Sequence, residues 1–315
     1  FCLKIIQVIK NIIMKYNSSD LAIIIPTINK KNIKIILHSI KQQTKKPGQA
    51  IFISNNKTNF ISNKKFIFAY SKISNQIYQR NIGLNLINKK IKLILQLDDK
   101  FYLHKRAIEN LIKEWNSADK DIAGIGIQSN FVYESFNKFN FLKLITLSGS
   151  SIPGKVLLSG FNNQLISKKN LINVDWLQGG LSSWRLKHVP NIFNRKFPHI
   201  KWSIVEDLIF SFHIKFKKKY GLQFNKGIKA YVIKGQKENY SYKQFFYRGF
   251  EYGRMHKVFV YINPKKLSKI AFFYSYIVSS ILGILWCSLK FNKKLFFYLG
   301  RLRGIFANIK KIKVL

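Results

Sequence analysis

Along the first third of the chain, runs of uncharged apolar residues alternate with segments whose apolar residues recur every three or four places. Residues 21–26 (LAIIIP) form a run of strand length closed by proline, and within 32–43 Ile35, Ile36, Leu37 and Ile40 fall at helical spacing. Lys46-Pro47-Gly48 marks a turn, 50–53 is a second buried-type strand, and the polar SNNKTN ends it. The unit repeats: 66–70 reads as a strand, 79–86 as the start of a helix, and 91–97 (IKLILQL) as a strand running straight into Asp98-Asp99. Strands alternating with helices predict an α/β fold, a mainly parallel sheet with helices on both faces. Ligands gather at the carboxyl ends of the strands of such sheets, where Thr27, Ser54-Asn55 and Asp98-Asp99 all lie.

Farther along, Trp202-Ser203-Ile204-Val205 leads into Glu206-Asp207 and then LIFSFHIKF, a predicted helix with apolar residues at 208, 209, 212 and 216. Beyond Asn263-Pro264, residues 270–289 (IAFFYSYIVSSILGILWCSL) hold twenty positions without a charge. That is enough to cross about 30 Å of hydrocarbon. Four serines, two tyrosines and lysines on both sides (Lys265, Lys266, Lys269; Lys290, Lys293, Lys294) leave three readings open: an interfacial helix or hairpin, a spanning helix, and a buried soluble helix. The next segment mixes Phe and Leu with Arg301, Arg303, Lys310 and Lys311, as a helix lying on anionic lipid would. At the other end, residues 1–13 (FCLKIIQVIKNII) carry no cleavage-site pattern, and translation is expected to begin at Met14. The alternative there is a short amphipathic helix with Ile5, Ile6, Ile9, Ile12 and Ile13 on one face. The expected organisation is an extension over 1–19, a catalytic domain over 20–235, and a basic, aromatic, helical region over 236–315.

Composition makes disorder a poor description: 47% of the 315 residues are hydrophobic and 15% aromatic, enough for a substantial core. The 55 Lys and Arg against 13 Asp and Glu give a formal charge of +42. So one-signed a surface is attracted to phosphates or lipid headgroups, although abundant Lys, Ile, Asn and Phe also suit AT-rich coding, so the charge names no substrate. Cys2 and Cys287 are too few and too far apart for a disulfide framework, and the six histidines show no HExxH-type ligand spacing.

The scarcity of acids gives weight to the places where they pair. Asp98 and Asp99 follow an apolar strand, where carboxylates can hold a divalent cation that bridges phosphate oxygens. Acids in a turn after a strand, or in the first turn of a helix as with Glu206-Asp207, are also ordinary.

The order of these motifs resembles the family 2 glycosyltransferases with the GT-A fold, over roughly 21–308. IIIPT followed by a helix ending in SIKQQT is similar to the family's first strand and helix, QRNIG at 79–83 to its donor-side segment, and LDDK at 97–100 to its DxD segment. VDWLQGGLSSWR at 174–185 resembles the acceptor-side loop, EDLIFSFHIKFKKKYGLQF the ED helix with its glycine turn, and GRLRGIFANI a C-terminal segment of bacterial polysaccharide members. The resemblance implies an inverting transfer in one displacement, from a nucleotide-diphospho-sugar to an acceptor hydroxyl of a growing surface polysaccharide or lipid-linked glycan. It implies Asp207 as the general base, with Glu206 positioning a neighbour or the acceptor. Pro26, Thr27, Ser54, Asn55, Arg80, Asn81, Asp98, Asp99 and Lys100 would lie on the donor side. Gly179, Gly180, Trp184, Arg185, His213 and Arg248 would lie on the acceptor side. Asp98 and Asp99 would hold Mn2+ or Mg2+.

Three departures bear on these expectations. Lys100 stands where the DxD pattern has its last acid, which leaves a metal only Asp98 and Asp99, or replaces it with a lysine that neutralises diphosphate. Ser54-Asn55 stands where many members have an Asp that reads the base, and His213 where the ED helix often has Arg. The resemblance and the basic, apolar C-terminal region together imply an enzyme at the cytoplasmic face of the inner membrane, peripheral or single-pass. Two other classes compete. A noncatalytic sugar-binding member of the same fold is one. The other is a nucleic-acid-binding protein, suggested by the interleaved basic and aromatic residues of KQFFYRGFEYGR at 243–254. With no helix-turn-helix, RNP-like or zinc signature, no nucleic-acid partner is expected.

Overall fold

A computed structural model describes residues 16–56, 60–130, 141–189, 204–233 and 240–308. The expected start at Met14, the amphipathic reading of 1–13, the boundary at 235 and Lys310 and Lys311 lie outside the described residues.

Strand β1 (Leu21–Thr27) is buried at all seven positions and forms the middle of the parallel half of the sheet. Its branched apolar residues favour the extended backbone, and Pro26 lies beyond Ile24, the last residue paired with the neighbouring strand β4. Helix α1 (Lys30–Lys41) is capped by Asn29, whose side chain accepts from the Lys31 amide. Ile33, Ile36 and Ile40 form its buried stripe. Strands β2 (Gln49–Ser54) and β3 (Phe66–Tyr70) extend the sheet in parallel on one side of β1. Helix α2 (Gln76–Asn85) begins three residues before the expected 79, because Asn75 caps the amides of Ile77 and Tyr78. It lies close on the sheet: a Cβ on Gly83 would stand 2.6 Å from Cγ2 of Ile24. One turn earlier on this seated helix is Arg80.

Strand β4 (Leu93–Leu97) pairs with β1 in parallel and ends at Asp98. Then follow β5 (Phe101–Leu103), α3 (Ala107–Ser117), β6 (Ile122–Ser129), the short α4 (Phe141–Ile145), β7 (Leu171–Asn173) and β8 (Leu181–Arg185). Residues 181–185, expected in an acceptor-side loop, are thus a buried strand antiparallel to β4. Helix α5 (Glu206–Phe212) is shorter than the expected apolar pattern, for it opens into a π-helical turn over His213–Lys217 before β9 (Gly221–Val232). The sheet order is β3-β2-β1-β4-β8-β6-β9-β5, with β7 also on β9. The block from β3 to β4 is parallel, as is β6 with β9, while β8, β5 and β7 run against their neighbours.

Helices α6 (Tyr242–Tyr261), α7 (Lys269–Leu289) and α8 (Leu295–Phe306) close the chain. They share a core with the sheet domain, in which Leu208, Ile209 and Phe212 of α5 pack with Met255, Phe259, Phe272 and Tyr276. Gly249 and Gly253 of α6 face the α8 backbone, and Gly300 and Gly304 face that of α6, so the two helices cross too closely for side chains at these points. The segment at 243–254 is therefore part of a helix pair and not an extended stacking surface, which corrects the feature that suggested nucleic acid.

Candidate active site

The carboxyl end of β4 is where the acids meet. Because β8 runs against β4, the Asp98 amide donates to the Gly180 carbonyl at 3.0 Å, and a Cβ on Gly180 would collide with the Asp98 carboxyl group. Gly179 donates its amide to Oδ2 of Asp207 at 3.3 Å. The two glycines thus let one backbone segment pass between the acid of β4 and the acids of α5. Just before those acids Val205 adopts φ 68°, ψ 3°, a left-handed conformation that costs a β-branched residue of the order of 1–3 kcal/mol.

Arg80 joins the groups. It is 1% exposed; Nη2 lies 2.9 Å from Oδ1 of Asp98 and Nη1 3.2 Å from Oε1 of Glu206. Gln76, one turn earlier on α2, donates to the same Asp98 oxygen. Asp99 turns the other way: its Oδ2 accepts from the Thr27 hydroxyl at 2.9 Å and the Ile28 amide at 3.0 Å, and Asn32 donates to its carbonyl at 2.8 Å. A small cavity lies between Arg80, Gln96, Glu206 and Asp207 on its polar side and Leu177, Trp184 and Phe210 beneath.

One guanidinium thus serves Asp98 and Glu206, and burial sets the proton affinities of Glu206 and Asp207. Burial, and then the Asp207 charge, push Glu206 up to about 8, with Arg80 opposing. Burial also raises Asp207, against the stabilising amides of Gly179 and Leu208. Asp99 is raised mainly by burial. The folded chain consequently holds protons on this pair that an unfolded chain releases from the ordinary carboxylate range upward, so the pair's contribution to stability falls as pH climbs from about 4.5 towards about 8.

The other expected site residues are placed as follows. Ser54 is buried, and its hydroxyl accepts from the Asn56 amide at 3.1 Å. The buried amide oxygens of Asn55 and Asn81 have no partner among the described residues, which suits groups awaiting a ligand. Pro26 is in β1, and the Lys100 side chain is exposed over the Phe101 ring. Trp184 is a core residue, edge-on to Phe210, and shows only its inner side to the cavity. Arg185 does not join the cluster: it sits opposite Leu93 at the far end of β4, donates to the carbonyls of Asp119 and Lys120, and stacks over Trp115. His213 begins the π turn after α5, and Arg248 donates to the Tyr240 hydroxyl from α6. Two residues of the cluster have no counterpart among the expected ones, Gln76 and Asn32. The spacing of Gln76 and Arg80, four apart on a helix, was the available signal for the first.

The described residues do not fit a metal at Asp98-Asp99. Asp98 is tied to Arg80 and Gln76, Asp99 is hydrogen-bonded back onto β1, and among the described residues no group of three or more His, Cys, Asp or Glu side chains is placed to hold a metal ion.

No protein-family model and no curated protein matches the chain. Its fold is similar to that of a mannosyltransferase, PcManGT from Pyrobaculum calidifontis, solved with GDP-Man and Mn2+: TM-score 0.52, 10% identity, 91% of this chain and 87% of that one. TarS 1-349 of S. aureus, solved with UDP-GlcNAc, superposes at TM-score 0.49 and 16% identity over 76% of this chain and 66% of that one. The fold is GT-A-like, a mixed α/β sheet with flanking helices, as in glycosyltransferases.

Proposed function

We propose that this chain is a glycosyltransferase of the family 2 type, moving a sugar with inversion from a nucleotide-diphospho-sugar to a hydroxyl of a growing surface polysaccharide or lipid-linked glycan. One observation carries the reading: Asp98 from a strand end, Arg80 from α2 and Glu206-Asp207 from α5 form one buried charged cluster at the carboxyl edge of the sheet. In a GT-A-like fold that edge is where a nucleotide sugar is expected. The structural neighbours are glycosyltransferases solved with GDP-Man and UDP-GlcNAc, which supports a donor of this class.

Asp207 takes the proton of the acceptor hydroxyl as its oxygen bonds to the anomeric carbon, and the bond from that carbon to the diphosphate breaks to release the nucleoside diphosphate. Its raised proton affinity suits this role, since the developing alkoxide meets a base stronger than a surface carboxylate. Glu206 holds Arg80, and Arg80 holds Asp98, so the donor and acceptor ends are fixed by one set of ion pairs. Asn55 and Asn81 offer amide oxygens to the nucleotide or sugar, and Lys100 offers its charge to the departing diphosphate.

The test is a panel of nucleotide sugars scored for nucleotide release, with Mn2+, Mg2+ or EDTA. Release from one donor, dependent on a glycan acceptor, is expected, and the comparison of Mn2+, Mg2+ and EDTA reads whether transfer needs a divalent cation. No release from any donor would remove the assignment; loss in EDTA alone would show that Asp98 and Asp99 rearrange to bind metal.

The pH dependence follows from the cluster. The base must be unprotonated, so kcat/KM should rise with pH along a limb displaced above the usual carboxylate range, because burial raises Asp207. Glu206→Gln takes away the acid coupled to Asp207, so that limb should shift. A limb that stays in place would separate the pH dependence from this pair.

A further inference from the structure

Helix α7 is apolar by composition but one-sided in its packing. Phe272, Tyr276, Ser280 and Cys287 are buried against the protein, on one arc of the helix. Ile270, Tyr274, Ile281, Leu285 and Leu289 are exposed on the opposite arc, within about 100° of one another at 100° per residue. Trp286, 61% exposed, widens that face at its carboxyl end. A second apolar strip runs alongside. Residues 142–158 are tied to α7 by the Ser275 hydroxyl, which donates to the Thr146 carbonyl, and by the Ser268 amide, which donates to the Leu158 carbonyl at 2.8 Å. In this strip Leu142, Leu144, Ile145, Ile152 and Leu158 are exposed, the last at 67%.

Lysines frame both pieces. Lys265, Lys266 and Lys269 are exposed at one end of α7, Lys290, Lys293 and Lys294 at the other, and Lys143 is exposed within the strip. The Lys290 ammonium lies 4.0 Å over the Trp286 ring, so a cation sits directly on the apolar face at its carboxyl end. An apolar face ringed by lysines, on a chain of formal charge +42, repels a second copy of itself and complements an anionic lipid surface.

We infer that the outer face of α7 together with residues 142–158 seats the chain on an anionic bilayer, with α7 lying in the interface and not crossing it. The 21 residues of α7 would reach about 31 Å, long enough to cross. Its inner side forbids that. Lys257 of α6 lies over Phe273, while Arg301 of α8 lies over Tyr276 and donates to the Ser280 hydroxyl, so a crossing α7 would carry these cations into hydrocarbon. Lying flat, the same helix buries only its apolar outer arc. This choice among the three readings of 270–289 comes from packing, and it is independent of the transfer reaction.

The test is sedimentation of the full chain with vesicles of phosphatidylglycerol and phosphatidylcholine and with vesicles of phosphatidylcholine alone. Retention roughly tenfold or more greater on the anionic vesicles is expected, released by alkaline carbonate as for an interfacial protein. L285D/W286D, and separately I152D/L158D, should each weaken retention by about tenfold with an unchanged melting temperature, since all four side chains are exposed. Equal or no retention on the two vesicle types, undiminished retention of both variants, or resistance to carbonate would overturn the inference. So would a dimer in light scattering that the variants dissociate without any vesicle binding, which would assign the face to a second copy.

Discussion

Asp207→Asn is expected to lower kcat by roughly two to four orders of magnitude while leaving donor affinity nearly intact. The substitution keeps the size and planar shape of the side chain, and its one amide oxygen can accept from either the Gly179 or the Leu208 amide, which now donate to separate carboxylate oxygens. What it loses is the ability to take a proton. The loss should therefore appear in turnover, read by nucleotide release, and not in donor binding, read by calorimetry. A variant with kcat within about threefold of the parent would remove Asp207 as the base.

Arg80→Met should have the largest effect on the fold. The guanidinium is buried with Asp98 on one side and Glu206 on the other, and methionine fills a similar volume without a charge. Removing one member of a buried ion pair leaves partners without compensation, at a typical cost of about 3–5 kcal/mol in unfolding free energy. The dependence on pH has a definite sign. Burial holds the Glu206 proton to about 8 with Arg80 opposing; without the guanidinium the proton is held to still higher pH, so the destabilisation should grow as pH rises and the acid is forced to ionise. Denaturant unfolding at several pH values measures this. R80M/E206Q should recover part of the loss, since it removes one of the stranded carboxyls. A double variant as unstable as the sum of the singles would mean that Arg80 and Glu206 act independently.

The sequence by itself determined the early elements and the acids that matter. Apolar runs placed β1, β2, β3 and β4 within a residue or two of their ends, since burial on both faces of a parallel sheet favours near-continuous apolar strands, as in β1, β2 and β4, while the edge strand β3 is only half-buried. Asp98 followed directly, as the first polar residue after β4, and the pairing of acids in a chain so poor in them drew attention to Glu206-Asp207. Only the tertiary structure decided which candidates meet. Gly180 and Arg185 are five residues apart and were expected in one loop, yet a strand advances about 3.4 Å per residue, so they stand at opposite ends of β8, one against Asp98 and the other against the loop at Asp119. Asp98 and Asp99 are adjacent in sequence but turn to different partners, Arg80 and Thr27, which their adjacency did not indicate. Twenty uncharged residues fixed the existence of α7 but not its use, because hydropathy sums over the whole helix, while the choice between lying in a membrane and crossing it depends on what packs against one side.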